Sequence, residues 1–336
     1  MLDRLLHRLF VLILFFALFV AVPVYWINLD DKIDRRNAFE RHLNDLKMIS
    51  GHQRISAFTP QTCNLLMVDS FCNSGNHPIA VLCSHVHALY KALHDEAHKN
   101  SPYFLVLEDD ITFLYSVDFN DLISKLPKDF GSVQLMMSHK LDIEAGWGKY
   151  LQSLRTTPST PATPEYFSVR ERNATYWSAQ AILYRKEAIA PFINAAVQRD
   201  RKGRIGFKLL HSIEFDKHSS QHINPFKPVI ASRCLHSDTF LYAMAQPSYV
   251  LNLPIFNSGA LGISSTMHNE HVPYHAHGFA AIEQITSRIA SMPDLLPSFA
   301  KALPVSVHRE RGLNWTSIAK AHPVAGKGIP KEFNIV

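Results

Sequence analysis

Apolar residues along this chain come in short, strand-length runs separated by stripes at helical spacing. Residues 24–28 are apolar and rich in strand formers, and the run stops at Asn28-Leu29-Asp30-Asp31. Arg36, Phe39, Leu43 and Leu46 then recur at helical spacing. Residues 55–58 form a second short run. Residues 59–77 are broken by Pro60 and Gly75 and read as a loop. The best helical stripe is Leu82, Val86, Leu89 and Leu93, within residues 79–99. Further on, 103–107, 132–137, 177–184 and 249–253 read as strands, and 118–126, 186–198 and 238–245 as helices. Strands alternating with helices predict an α/β fold on a parallel sheet.

The pattern is weaker elsewhere. Residues 139–175 show no clear period, and 156–164 hold three prolines among threonines, so that stretch reads as a loop. Residues 199–228 are basic and polar and read as an excursion from the sheet. From Asn257 onward glycine, serine and histidine are frequent and the periodicity fades. The simplest organisation has three parts: a membrane segment at 1–23, a catalytic-size domain at 24–256, and a C-terminal extension at 257–336.

The first part is a different material. Leu9 to Val22 is unbroken apolar sequence behind Arg4, His7 and Arg8. Counted from Leu5, it approaches the ~17–25 residues that span a bilayer. The basic flank comes first, which orients the remainder toward a lumen and predicts a single-pass type II protein of the ER or Golgi. A cleaved signal peptide, leaving a secreted protein, is the alternative; its best small-residue site is Phe19-Val20-Ala21. The acceptor triplets Asn173-Ala-Thr175 and Asn314-Trp-Thr316 suit either address. Of the four cysteines, Cys63 and Cys72 are close enough in sequence to close a small loop, and no pair has metal-ligand spacing.

A net charge of +5 over 336 residues, with no long basic run, gives no case for nucleic acid and suits small anionic ligands or an anionic membrane. Glu108, Asp109 and Asp110 close the run 103–107. Three adjacent carboxylates repel one another, and a divalent cation carrying a phosphorylated substrate relieves that repulsion. In an open α/β sheet ligands bind beyond the carboxyl ends of strands, where this triplet falls. Hard oxygen donors select Mg²⁺ or Mn²⁺, and because successive residues of an extended segment point oppositely, at most two of the three can face one ion.

Asn28, Asp30, Arg35 and Arg36 follow the first strand and are candidates to hold a nucleotide, an arginine pairing with phosphate through its planar fork. Asp30 and Asp31 equally suit the first turn of a helix. Ser84 and His85 are neighbours on a helix and point to different faces, so they make no nucleophile–base pair. His85 is either a core histidine or a group beside the sugar or diphosphate. Asp238, in His236-Ser-Asp238-Thr-Phe-Leu, is an N-cap or a general base. His268, His271, His275 and His277 are either surface histidines or the source of one further metal ligand.

Three stretches in order, Val24-Tyr-Trp-Ile-Asn-Leu-Asp-Asp-Lys-Ile-Asp-Arg-Arg, Leu82-Cys-Ser-His-Val-His-Ala-Leu and Phe104-Leu-Val-Leu-Glu-Asp-Asp-Ile, resemble glycosyltransferase family 25. Ala179-Gln-Ala-Ile-Leu-Tyr-Arg-Lys-Glu-Ala and Asp238-Thr-Phe-Leu before Tyr249-Val-Leu-Asn match more weakly. That family includes bacterial lipooligosaccharide galactosyltransferases and collagen hydroxylysine galactosyltransferases. The resemblance implies a GT-A-type, Rossmann-like α/β sandwich with a mostly parallel sheet. It also implies a UDP-galactose or UDP-glucose donor, a glycan, lipid or protein acceptor, Mn²⁺ or Mg²⁺, and inversion at the anomeric carbon. By position it implies Asp110 as metal ligand with Asp109 or Glu108 assisting, Asn28, Asp30 and Arg36 near the nucleotide, and Asp238 as base or acceptor contact. The family has a glycine-rich segment where this chain reads His77-Pro-Ile-Ala-Val-Leu. That departure supports the alternative, a non-catalytic lumenal protein binding a glycan or partner on the same fold.

Overall fold

The computed structural model describes residues 22–45, 51–64, 77–155, 165–170, 178–199, 205–207, 237–258 and 272–302. Its strands are β1 (Val24–Asn28), β2 (His52–Ser56), β3 (Tyr103–Glu108), β4 (Ile111–Phe113), β5 (Tyr115–Val117), β6 (Ser132–Gln134), β7 (Phe167–Val169), β8 (Ala181–Arg185), β9 (Val197–Arg199), β10 (Ile205–Phe207), β11 (Ser248–Leu251), β12 (Phe256–Ser258) and β13 (Ala300–Ala302). Its helices are α1 (Ile33–Asp45), α2 (Pro60–Asn64), α3 (His77–Leu93), α4 (Phe119–Ser124), α5 (Lys140–Arg155), α6 (Lys186–Ala196), α7 (Ser237–Met244) and α8 (Val272–Ser291).

Seven strands form one sheet in the order β2-β1-β3-β8-β6-β11-β7. β2, β1, β3, β6 and β11 run one way, and β8 and β7 run against them. Five of the seven strands thus share one direction, so the sheet is mostly parallel as expected, with β8 and β7 as antiparallel members that strand–helix alternation alone does not predict. Between β6 and β8 the chain passes through both α5 and β7, so β8 does not close a simple βαβ unit, whose right-handed crossover would make it parallel.

Period-two alternation sends successive side chains to opposite faces, and both faces are covered. Val24, Trp26, Leu105, Leu107, Ala181 and Leu183 face a core built with Phe39 and Leu43 of α1, Ile143, Trp147 and Tyr150 of α5, and Ile282 and Ile285 of α8. Tyr25, Ile27, Phe104, Val106, Ile182 and Tyr184 face a second core, against Leu82, Val86 and Leu89 of α3, Ile189 and Phe192 of α6, and Leu241 and Tyr242 of α7. Each such aliphatic or aromatic side chain contributes roughly 1.5–3 kcal/mol of transfer free energy, which is why β1 and β3 are apolar up to their last residues, Asn28 and Glu108. The result is a three-layer α/β/α sandwich.

Two helices were not legible as pattern. α5 lies in the stretch that shows no clear period, and α8 in the fading C-terminal part. The expected boundary at 256 falls inside β12, which pairs antiparallel with β4, and β13 pairs with β5. α2 puts one helical turn at the start of the loop expected over 59–77. No helix among the described residues is long and apolar enough to cross a membrane. The expected anchor at 1–23 lies almost wholly outside them, as do both glycosylation triplets, Cys72, Cys234, His236, His268 and His271.

His87, on α3, packs beside Phe58 at 5.5 Å between ring centroids. Burial, aided by Lys91, pushes its imidazole down to about 4. A base whose folded pKa lies below its unfolded value of about 6.5 stabilises the fold above that pH. The contribution is then lost as pH falls from 6.5 toward 4. His87→Gln is expected to flatten this part of the stability profile by ~2 kcal/mol, after discounting for partial exposure. Urea unfolding at pH 7 and pH 4.5 checks it; an unchanged slope between the two pH values would sink the assignment.

Candidate active site

β1, β2, β3 and β6 present their carboxyl ends along one edge of the sheet. Because β8 runs the other way, the segment entering it, Ser178–Gln180, arrives at that same edge. The Gln180 carbonyl accepts from the Glu108 amide at 2.8 Å. The first turn of α7 brings Asp238 there as well.

The acid triplet divides in two. Asp109 is buried and commits both oxygens: Oδ2 accepts from Asn28 Nδ2 at 2.6 Å, and Oδ1 is held by the Arg35 guanidinium. Burial nevertheless pushes its carboxyl up, outweighing the pull of Arg35. Glu108 and Asp110 turn elsewhere. Glu108 Oε1 meets His85 Nε2 at 2.9 Å, and His85 itself is buried. Asp110 Oδ1 accepts from Gln180 Nε2 at 2.9 Å, and its Oδ2 lies 4.0 Å from Arg35, beyond hydrogen-bond reach. Burial pushes the Glu108 carboxyl up, the His85 bond opposes this, and the charges of Asp110 and Asp238 push it further up. Three carboxylates thus share one electrostatic neighbourhood, with Asp109 and Arg35 as a neighbouring ion pair.

The expected nucleotide residues are distributed around this centre. Asp30 is engaged by Arg54 and accepts from the Ser56 hydroxyl at 2.6 Å. Those two bonds hold its carboxyl below the usual range. Arg54 Nε also donates to Asn28 Oδ1 at 2.9 Å, so Asn28 bridges Arg54 to Asp109. Arg36 donates to the Asp30 carbonyl at 2.9 Å. Ser84 uses its hydroxyl inside the fold, donating to the Ala80 carbonyl at 2.7 Å and accepting from the Phe58 amide at 2.8 Å. Ser84 thus ties α3 to the segment after β2, while His85, one residue on, faces the acids.

Asp238 stands in the first turn of α7, where a carboxylate is favoured by the helix end. Its Oδ2 accepts from the Ser178 amide at 3.3 Å and its Oδ1 from the Ser237 hydroxyl at 3.2 Å. A carboxylate has about four lone-pair sites, so capacity for a proton remains.

Four residues at this edge were not anticipated: Arg54, Arg170, Ser178 and Gln180. Gln180 lies inside a stretch quoted for its resemblance, yet an amide in an apolar run carries no signal of its own. Arg170 is buried over the Tyr242 ring at 3.9 Å, and its Nη2 donates to the Asp238 carbonyl at 3.0 Å. An arginine buried by tertiary packing looks in sequence like a solvated one.

Among the described residues no three histidine, cysteine, aspartate or glutamate side chains are gathered as a ready metal cage. The donor chemistry still fits a hard cation. Mg²⁺-type ions are held by one or two carboxylates plus phosphate and water, not by an all-protein cage. Asp110 and Glu108 each keep an oxygen free of hydrogen bonds among the described residues, in a field already too negative.

No protein-family model matches this chain, and no curated protein does either.

Proposed function

We propose that the protein is a metal-dependent, inverting hexosyltransferase that moves galactose or glucose from a UDP-sugar to a hydroxyl of a glycan, lipid or protein acceptor. The observation that carries this reading is the grouping of Glu108, Asp110 and Asp238 at the ligand edge of the sheet, close enough for the other two charges to raise the Glu108 carboxyl. Burial raises that carboxyl first and the two neighbouring charges add to it, and carboxylates perturbed in this way concentrate where a cation or a proton transfer uses them. The resemblance to family 25 and the α/β/α sandwich, read as a GT-A-type fold, support the same class.

In this reading Asp110, with Glu108, would hold Mn²⁺ or Mg²⁺. Bound there, the ion supplies charge neutralisation for the departing diphosphate. Asn28, Asp30 and Arg36 border the nucleotide. The Asp238 carboxylate takes the proton of the acceptor hydroxyl, and the acceptor oxygen forms its bond to the anomeric carbon. The bond from that carbon to the diphosphate oxygen breaks, and UDP leaves with the electron pair. His85 holds Glu108 in place. The chain is read as a type II membrane protein with this domain in the lumen.

Hydrolysis of nucleotide sugars tests the class without knowledge of the acceptor, because water can stand in for it. UDP-galactose or UDP-glucose is expected to be cleaved slowly with Mn²⁺ and not with EDTA. Mn²⁺ and UDP together are expected to raise the melting temperature, through linkage, more than either alone. A chain that binds neither and cleaves no donor would be the non-catalytic binding protein instead. The commitment of Asp109 to Arg35 leaves Glu108 and Asp110 as the two acids available to a ligand.

A further inference from the structure

Among the described residues Ser178 is the only non-glycine with positive φ, at 135°. That region belongs mainly to glycine, and a serine stays there only when its surroundings over-determine it. Here they do. The Ser178 carbonyl accepts from the Tyr242 hydroxyl at 2.8 Å and from Gln134 Nε2 at 3.2 Å. Its amide donates to Asp238 Oδ2 at 3.3 Å. Its hydroxyl donates to Gln180 Oε1 and accepts from the Gln180 amide, both at 3.2 Å. Gln180 Nε2 then donates to Asp110 Oδ1 at 2.9 Å. Hydrogen bonds thus run without a break from Asp238 through Ser178 and Gln180 to Asp110, and both intermediate residues are buried.

We propose that Ser178 and Gln180 are positioning residues, a neutral bridge that sets the placement of Asp110 relative to Asp238. The proposal rests on the hexosyltransfer reading, in which one carboxylate faces the leaving group and the other the acceptor. Like charges at one edge repel and drift toward water. A lysine or arginine between them would hold them but would also cancel the charge that a cation and a proton require. An amide and a hydroxyl hold them without cancelling it. The strained turn at Ser178 is what aims an N–H at one carboxylate while its side chain serves the other. Arg170 stiffens the assembly: its Nε donates to Gln134 Oε1 at 3.1 Å, and its Nη2 to the Asp238 carbonyl at 3.0 Å.

The test uses the full chain and three variants, Gln180→Leu, Ser178→Ala and Ser178→Gly. The readouts are Mn²⁺-dependent hydrolysis of UDP-hexose and the thermal shift on titrating Mn²⁺ at fixed UDP. A misplacement of about 1 Å costs on the order of 10²-fold, so kcat is expected to fall by roughly ten- to a hundredfold, with KM for the donor within about threefold. The Mn²⁺ concentration giving half the thermal shift should rise in Gln180→Leu, which frees Asp110, and the ligand-free melting temperature should change little. Ser178→Gly relieves the backbone but removes the hydroxyl, so the bridge requires it to behave as Ser178→Ala does. Wild-type kcat in Ser178→Gly, or in all three variants, overturns the bridge, as does a lowered melting temperature with kcat intact. If Gln180→Leu does not fold, the Ser178 variants carry the test. If the wild type neither hydrolyses a donor nor responds to Mn²⁺ with UDP, the hexosyltransfer reading fails and the bridge falls with it. An active wild type with unaltered variants sinks the bridge alone.

Discussion

Asp110→Ala is expected to lower donor turnover by at least about a thousandfold while the protein stays folded. Electrostatic stabilisation of a leaving group by a bound cation is worth several kcal/mol, and each 1.36 kcal/mol is about tenfold in rate. Losing the principal ligand therefore removes about three decades. The stability side is a near balance. The variant loses the Gln180 bond to a charged oxygen, worth about 1.5–3 kcal/mol at most in a partly exposed site. It also removes one of the two charges that push Glu108 up, and so relieves repulsion. These oppose one another, so the melting temperature should move by only a few degrees. Hydrolysis kinetics with thermal unfolding on the same samples checks both halves. Normal turnover in a folded Asp110→Ala protein would remove the triplet from the chemistry. A collapsed melting temperature would instead make Asp110 structural.

Gly278→Ala is expected to destabilise the fold by about 3 kcal/mol or more, near or above the upper end for overpacking. A Cβ built on Gly278 would sit 2.0 Å from the Ser138 carbonyl oxygen and 3.4 Å from Ile143. Backbone cannot step aside as a flexible side chain can, so α8 would have to lift off the start of α5. Against this, alanine gains about 0.5–1 kcal/mol over glycine inside a helix. The clash exceeds that gain, so the sign is a loss. Urea unfolding gives the magnitude, and Gly148→Ala is the control. A Cβ on Gly148, in the neighbouring helix, meets nothing within 4 Å, so there the propensity gain should stand alone. Equal stability of the Gly278→Ala and wild-type proteins would refute the close approach of α8 to Ser138.

The same two helices explain where the sequence misled. α5 was hidden by Gly146 and Gly148, and α8 by Gly278 among histidines, because glycine in a helical stretch reads as a breaker. Two of these glycines are packing devices. A Cβ at Gly146 would lie 3.1 Å from the Met137 side chain and 3.3 Å from the Asn252 backbone. Close approach of chain to chain is a tertiary property, and no local window carries it. By contrast β1, β3 and α6 were legible to within a residue or two, and α3 at its start although it ends at Leu93 and not at 99, since burial on one or both faces writes its period into neighbouring positions.

The candidate site divides the same way. Glu108, Asp109 and Asp110 announce themselves by mutual repulsion at the end of an apolar run, and Asn28 by ending another. Gln180 and Ser178 announce nothing, because an uncharged polar residue beside a strand is common. Which acid would face solvent and ligand, and which would be neutralised from within, was equally hidden. That depended on Arg35 meeting Asp109 across the sheet edge.

Residue order alone decided which segments bury themselves and which end in charge, because hydrophobic burial acts on each segment's own periodicity. The direction of β8, and with it the arrival of Ser178–Gln180 between Asp110 and Asp238, was decided only when the chain packed. Antiparallel and parallel neighbours of a doubly covered sheet ask for the same apolar run, so nothing in that run distinguishes them.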